Sequence, residues 1–207
     1  MSGNKKQDVR LIFQVAAWLA FIMLGWLGIR SYKLSVEKLK TNQCIDEIFS
    51  LSNNIREAYS KQVEYDEIDY ALVDRLGLVP KSMRREGFKE ATNAYFGGVD
   101  IYYSFIDENR RRGAFEISFQ GLSAFACENL IKMDWGDQTG STVIAVAGYN
   151  RATPSGTLDH IFPNMEQNEI RERNIFLVKY AKNVASEKIK QVCNCETNTC
   201  SVVWKFK

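Results

Sequence analysis

The residues best suited to chemistry are the cysteines near the C-terminus of the sequence. Cys193, Cys195 and Cys200 fall within eight residues, and together with the imidazole of His160 they supply ligand types that zinc accepts. Their C-x-C-x4-C spacing differs from the paired C-x2-C arrangement of zinc sites. We therefore predict that these cysteines form disulfide bonds and that the chain has no metal site.

Patterns typical of catalysis or cofactor binding are absent from the sequence. His160 is the single histidine, and no serine has the G-x-S-x-G context of a nucleophile elbow. Neither G-x-G-x-x-G nor a P-loop occurs. Asp134, Asp137 and Thr139 have oxygen atoms that could bind calcium, but their loop lacks the EF-hand pattern and is expected to be a turn. The arginines at 110–112 are expected to form a solvated turn. We predict no enzymatic activity and no cofactor.

Length and composition indicate one ordinary domain with an appendage. The chain has 207 residues, of which 45% are hydrophobic, so it can form a core. Its formal net charge is only +2. Because a nucleic-acid partner needs a concentrated basic face, we expect none here.

The cysteines also indicate the compartment of the protein and a disulfide bond that stabilises its fold. Clustered non-catalytic cysteines are typical of an oxidising compartment. A bond from the tail to Cys127, whose helix must pack on the same sheet, would hold down a terminal strand that otherwise frays. Closing a loop of about 70 residues would stabilise the fold by roughly 4 kcal/mol. The sequence does not decide which of the three C-terminal cysteines bonds to Cys127. A second bridge from Cys200 to Cys193 or Cys195 is an option, and one of the five thiols must remain unpaired.

Residues 11–29 predict a transmembrane helix. This run contains no charge and a single amide, Gln14, and as a helix it would be about 28 Å long, close to the hydrocarbon thickness of a bilayer. Basic residues flank both ends, so the cysteines decide the orientation. We expect residues 1–10 to be a short cytoplasmic N-terminus and the main domain to be exported.

The helix is expected to continue beyond the membrane through residues 30–62, because no Gly or Pro occurs between Ser31 and Gln62. Apolar residues recur there at spacings of four, three, four and three, which is one face of a helix. We call this set the helical stripe and expect it to pack on the head and to support assembly: Cys44, Ile48, Leu51, Ile55 and Ala58.

Residues 63–207 predict an α+β head with an antiparallel sheet. A short helix should end near Leu76-Gly77, a second should begin after the N-cap Ser123, and a third should lie between Phe176 and Val192. Alternating or apolar runs predict strands, each with one buried face where the pattern alternates: 99–105, 115–119, 142–147 and 202–206.

The order of these parts resembles the type IVb pilins, especially the thin-pilus subunits of conjugative and secretion systems. The motifs that carry the resemblance are the asparagine-to-glycine stretch Asn93–Gly98 and the segment Phe115–Leu130 with its Ala126-Cys127 pair. The resemblance implies a pilin-like fold, a bridge from Cys127 to a cysteine near the C-terminus, and assembly through packed N-terminal helices.

The N-terminus departs from the pilin precursor pattern. Gly3 and Asp8 take the places of the glycine before the cleavage point and of the acidic residue, yet two lysines lie between them. We therefore expect no prepilin cleavage, which favours an accessory subunit over a major pilin.

These observations together predict a structural or accessory subunit of a type IV pilus or of a related secretion or conjugation apparatus. It would be a single-pass inner-membrane protein with its main domain in the periplasm or on the cell surface. Its partners would be membrane lipid and pilin-like or secretion-machinery proteins, including copies of itself. The alternative is a membrane-anchored periplasmic binding or sensor module, which would have a concave pocket and remain monomeric.

Overall fold

The computed structural model describes residues 3–62, 64–135, 143–151, 154, 158–178 and 184–207, without the side chains of residues 3–17 and 20. The chain divides into two compact units, Met1–Leu39 and Lys40–Lys207. Helix α1, Gly3–Ala58, contributes to both units. The predicted long N-terminal helix is thereby confirmed, as expected for a stretch without Gly or Pro beyond Gly28.

The second unit is built on one antiparallel sheet of five strands in the order β1-β2-β5-β3-β4. The C-terminal strand β5 therefore lies in the centre of the sheet, between β2 and β3. The predicted α+β class is confirmed. The strands are β1 Val99–Ser104, β2 Ala114–Leu122, β3 Val143–Tyr149, β4 Ile175–Leu177 and β5 Cys200–Phe206.

Short helices complete the unit. Helix α2, Tyr70–Arg75, begins where Leu72 N donates to the Asp69 carboxylate over 2.7 Å, and Gly77 at φ +71° follows its end. Helix α3, Ala124–Lys132, is capped by Ser123 as predicted. Helix α4 is Ser186–Val192. Two 3-10 turns are Lys81–Met83 and Gln167–Glu169.

The third helix lies between Phe176 and Val192 as predicted, but it occupies only the last part of that range. Phe176 and Leu177 belong to β4, where Phe176 pairs with Val146 of β3, and residues 179–183 lie outside the described part. The helix begins only at Ser186. A short apolar run does not distinguish helix from strand by periodicity, and pairing with a neighbouring strand decided this one.

One core lies between α1, α3 and the sheet. Cys44, Ile48, Leu51 and Ile55 of the helical stripe are fully buried in it. The fifth member, Ala58, is exposed, because α1 ends there and the next inward side chain is Tyr59, at a spacing of four from Ile55. The stripe therefore packs inside the head along most of its length.

The other face of the sheet is also buried, which corrects the expectation of one buried face per strand. Glu116 and Ser118 of β2 are each 1% exposed. In β1, the alternation predicts that Tyr103 shares the buried face with Val99 and Ile101 and that Ser104 lies on the exposed face, yet Tyr103 is 39% exposed and Ser104 is fully buried. The reason is a second core that covers this face: Ala145, Ala147, Tyr149, Leu158, Ile161, Ile175, Leu177 and Val203.

Candidate assembly site

The first unit presents a long apolar surface to solvent. Its described side chains begin at Trp18, and the large apolar residues from there to Ile29 are 56–73% exposed. They occupy every side of the helix, with no polar face between them, which is typical of a helix covered by lipid or by other helices. They are Trp18, Leu19, Phe21, Ile22, Met23, Leu24, Trp26, Leu27 and Ile29.

Among the described residues, no helix is long and apolar enough to cross a membrane. The predicted span 11–29 includes residues 11–17 and 20, whose side chains are outside the described part. The same holds for the side chains of Gly3 and Asp8 in the candidate processing region. Membrane anchoring and the absence of cleavage therefore stay predictions.

In the second unit, a buried carboxylate on α1 binds the loop that precedes β1. Glu47 is 1% exposed and accepts hydrogen bonds from Ala94 N at 2.9 Å, Gln43 Nε2 at 3.1 Å and Arg85 Nη2 at 3.2 Å. Burial raises the pKa of Glu47 to about 7, against a lowering by the Arg85 charge. The sequence carried a signal for this residue, since Glu47 is three positions from Cys44 and lies on the inner face of α1.

The predicted motif Asn93–Gly98 forms a tightly held turn. Asn93 Oδ1 accepts from Tyr95 N at 2.8 Å, while Asn93 Nδ2 donates to the carbonyl of Gln120 at 2.7 Å. Gly97 lies against that same backbone, so a Cβ at this position would overlap the Gln120 carbonyl. Phe96 at the tip adopts φ +64° and is 54% exposed. The turn therefore joins the start of β1 to the end of β2 and presents an aromatic ring to solvent.

Four of the five cysteines form disulfides. Cys127 on α3 is bonded to Cys193 at the end of α4, with a Cα–Cα distance of 5.7 Å, and Cys195 is bonded to Cys200. Cys44 is a free thiol, and its burial raises its pKa to about 12, so it is not a reactive thiolate. The structure thus places Cys127 and all three tail cysteines in two bridges.

The residues weighed for catalysis or metal binding are not brought together. His160 Nε2 lies 3.4 Å from Glu172, and the described residues contain no group of three or more His, Cys, Asp or Glu arranged to hold a metal ion. Arg111 and Arg112 form ion pairs with Asp107 and Asp66. Of the calcium candidates, Asp134 is described, whereas Asp137 and Thr139 lie outside the described residues.

A buried polar cluster on the second face of the sheet was missed by sequence reasoning. Glu116 accepts from Ser104 Oγ at 2.7 Å and from Leu158 N at 2.9 Å. Lys205, directly opposite in β5, donates Nζ to the Leu158 carbonyl at 2.7 Å. Burial raises the pKa of Glu116 and lowers that of Lys205 to about 8. The cluster attaches the segment around Leu158 to the sheet.

Comparison of the chain with known proteins identifies its family. The bundlin family model matches residues 35–158, which is more than half of the chain. A type IV b pilin from Salmonella typhi shares 14% identity, with 75% of this chain and 91% of that chain covered and a TM-score of 0.45. TcpA, a type IV pilin from the Vibrio cholerae El Tor biotype, shares 13% identity, with 82% and 99% covered and a TM-score of 0.46. No curated protein sequence matches. By the family match over residues 35–158, the chain belongs to the bundlin family, within the type IV pilin-like proteins.

Proposed function

We propose that the protein is a structural or accessory subunit of a type IV pilus or of a related secretion or conjugation apparatus. The observation that carries this proposal is the apolar surface from Trp18 to Ile29 on α1, in a member of the bundlin family. Covering one large apolar side chain is worth about 1.5–3 kcal/mol. Nine such side chains in one helical segment therefore favour burial in lipid or against other helices over exposure to water.

We infer further that residues 11–29 span the inner membrane. Residues 1–10 would then be cytoplasmic, residues 30–62 would continue the helix, and residues 63–207 would form the exported head. The two disulfides of the head support an oxidising compartment such as the periplasm or the cell surface. Before assembly the partner of the apolar segment would be membrane lipid, and within an apparatus it would be the same segment of other subunits.

The protein would act by packing rather than by catalysis. The most reactive side-chain type, the cysteines, already stabilises the fold, since four of the five cysteines are in disulfides and Cys44 is buried. The net charge of +2 gives no basis for a nucleic-acid partner. We therefore look for partners among pilin-like and secretion-machinery proteins, including copies of this chain.

The test is photo-cross-linking of the full chain in cell membranes with p-benzoylphenylalanine at Ile22. We expect extraction to require detergent and adducts to form with pilin-like subunits, either copies of this chain or a co-assembled pilin. A protein that is released without detergent and gives no protein adduct from position 22 would contradict the proposal. Intact mass decides the processing: Met1 or Ser2 as first residue supports an accessory subunit, and Asn4 would show prepilin cleavage.

A second candidate function rests on a separate observation. A polar cavity of about 400 Å³ lies beside the ends of β3 and α4, and its lining includes Tyr149, Arg151, His160, Glu172 and Gln191. Its size suits a small polar ligand and so favours a binding or sensor module. This alternative predicts a monomer that gains thermal stability with a polar metabolite, and it predicts that Arg151→Ala abolishes that gain.

A further inference from the structure

The second unit has a cationic-aromatic patch before the start of β1, made of Lys40, Arg85, Phe88 and Phe96. Arg85 is only 21% exposed and is paired with Glu47, so Lys40 is the cation that the patch offers to a partner. The rings of Phe88 and Phe96 stack with centroids 6.1 Å apart, and both remain about half exposed. Lys40 Nζ lies 5.7 Å and Arg85 Cζ lies 5.0 Å from the centroid of the Phe96 ring. Exposed aromatic rings flanked by cations are typical of a protein-binding surface.

The backbone presents Phe96 in an uncommon conformation. Its φ of +64° lies in the left-handed region, which a bulky side chain seldom adopts. Phe96 N donates to the Asn93 carbonyl at 2.8 Å, and Asn93 N donates to the Gly97 carbonyl at 3.0 Å, so the turn is held on both sides. A glycine or asparagine would satisfy this turn with less strain. The exposed ring is therefore explained better by recognition than by folding.

An acidic loop lies toward the other end of the same strand. Residues 64–69 contain four carboxylates, those of Glu64, Asp66, Glu67 and Asp69. Tyr65 N donates to the Arg112 carbonyl next to the start of β2, and Asp69 forms a β-bridge with Tyr102 near the end of β1. Tyr102 and Tyr103 beside the loop are 47% and 39% exposed. Asp66 is paired with Arg112 and Asp69 caps α2, so the loop offers Glu64 and Glu67 next to these aromatic rings.

The two surfaces are complementary but separated within one copy. Phe96 precedes the first residue of β1, and the acidic loop bridges to its fourth residue and continues beyond its end. A strand of six residues is about 20 Å long, so Phe96 lies before one end of β1 while the acidic loop meets the strand near its other end. A contact between these surfaces on two different copies would be head to tail, and such a contact leaves a free surface at each end and propagates.

We propose that the cationic-aromatic patch of one copy docks on the acidic loop of a second copy of this chain. This proposal rests on the proposed function, because it takes self-association as given and names the head surfaces that meet. Opposite charge would steer the two surfaces together, and the exposed aromatic rings of both would form the centre of the contact. We choose a second copy over a lipid surface because the acidic loop offers both carboxylates and adjacent aromatic rings. A lipid surface would present no aromatic rings to the patch.

The experiment uses full-length protein in membranes, with p-benzoylphenylalanine at Phe96 in one sample and at Ile22 in another. Mixed isotope-labelled and unlabelled copies identify adducts between copies by mass spectrometry. We expect position 96 to cross-link to residues 64–69 or 102–103 of a second copy. Lys40→Glu and Glu67→Lys should each reduce this adduct about fivefold, the size expected when an exposed ion pair becomes a like-charge pair. The double variant should restore it, and the matched control Lys190→Glu on α4 should leave it unchanged.

The two probes separate the failure of this proposal from failure of the proposed function. If Ile22 cross-links copies while Phe96 gives only adducts within its own chain or with phospholipid, the head contact is wrong and the subunit assignment stands. If the double variant stays as weak as the single variants, the pairing of these two surfaces is likewise wrong. If neither position cross-links to another copy or to a pilin-like protein, both proposals fail.

Discussion

The carboxylate of Glu47 on α1 accepts a hydrogen bond from the backbone N–H of Ala94, 2.9 Å away and 47 residues later in the chain. The same carboxylate accepts a hydrogen bond from Arg85, whose guanidinium lies over the ring of Phe96. One buried acid therefore joins the helix to the loop that carries the cationic-aromatic patch. The presentation of that patch depends on a group whose pKa is raised to about 7.

Replacing Glu47 by Gln should remove a pH dependence of stability. The folded-state pKa of about 7 lies above the ordinary value of 4.5, so the folded protein holds a proton between these values that the unfolded chain has lost. The free energy of unfolding is then highest below pH 4.5 and falls as the pH rises to 7, by about 2 kcal/mol after allowance for solvent screening. Denaturant unfolding of the detergent-solubilised chain at several pH values should show a fall in the wild type that is smaller by about 2 kcal/mol in Glu47→Gln, where Glu116 still titrates.

The matched control is Glu57→Gln, an exposed glutamate on the same helix. Its pH profile should follow that of the wild type, because Glu47 is intact and still titrates. A Glu47→Gln profile that parallels the wild type would show that Glu47 is ionised in the fold throughout this range.

Local rules were enough to predict much of the fold. The absence of Gly and Pro after Ser31 predicted the long helix, the hydroxyl of Ser123 predicted the start of α3, and the alternation of Val202, Trp204 and Phe206 predicted β5. Each of these features depends on neighbours in sequence, so each can be predicted from the sequence alone.

The second core was not predicted because it depends on contacts distant in sequence. Glu116 and Ser118 occupy positions that a one-sided strand exposes, and only the return of the segment around Leu158 buries them. For the same reason Glu47 was passed over, since its partner Ala94 lies far along the chain. Polar residues within a buried pattern are ambiguous until their hydrogen-bond partners are known.

The adjacent glycines Gly97 and Gly98 should differ sharply in tolerance. A Cβ at Gly97 would overlap the backbone carbonyl of Gln120, which cannot move without breaking the pairing of β1 with β2. At Gly98 the nearest atom is the Gln120 side-chain oxygen at 3.3 Å, which can rotate away. We expect Gly97→Ala to cost about 3 kcal/mol and Gly98→Ala less than about 1 kcal/mol, measured by thermal unfolding. Equal losses would show that the turn yields at both positions.

The two disulfides should contribute unequally. Cys127–Cys193 closes a separation of 66 residues and Cys195–Cys200 one of 5. Because the entropy removed from the unfolded chain grows with the closed loop, we expect the double alanine variants to lose about 4 and about 2 kcal/mol, respectively. Chemical denaturation measures both losses, and non-reducing peptide mapping of exported protein checks the pairing. Recovery of Cys127 as a free thiol would contradict the bridge and the ranking together.

The buried pair Glu116 and Lys205 should be coupled in stability. Lys205→Met leaves the Glu116 carboxylate buried without its neighbouring cation, which we expect to cost about 3 kcal/mol. The double variant Glu116→Gln with Lys205→Met removes both charges and keeps an acceptor for Ser104 Oγ and Leu158 N, so it should regain at least half of that loss. Lys190→Met on the exposed side of α4 is the control and should have little effect. Additive losses in a double-mutant cycle would show that the two charges do not sense each other.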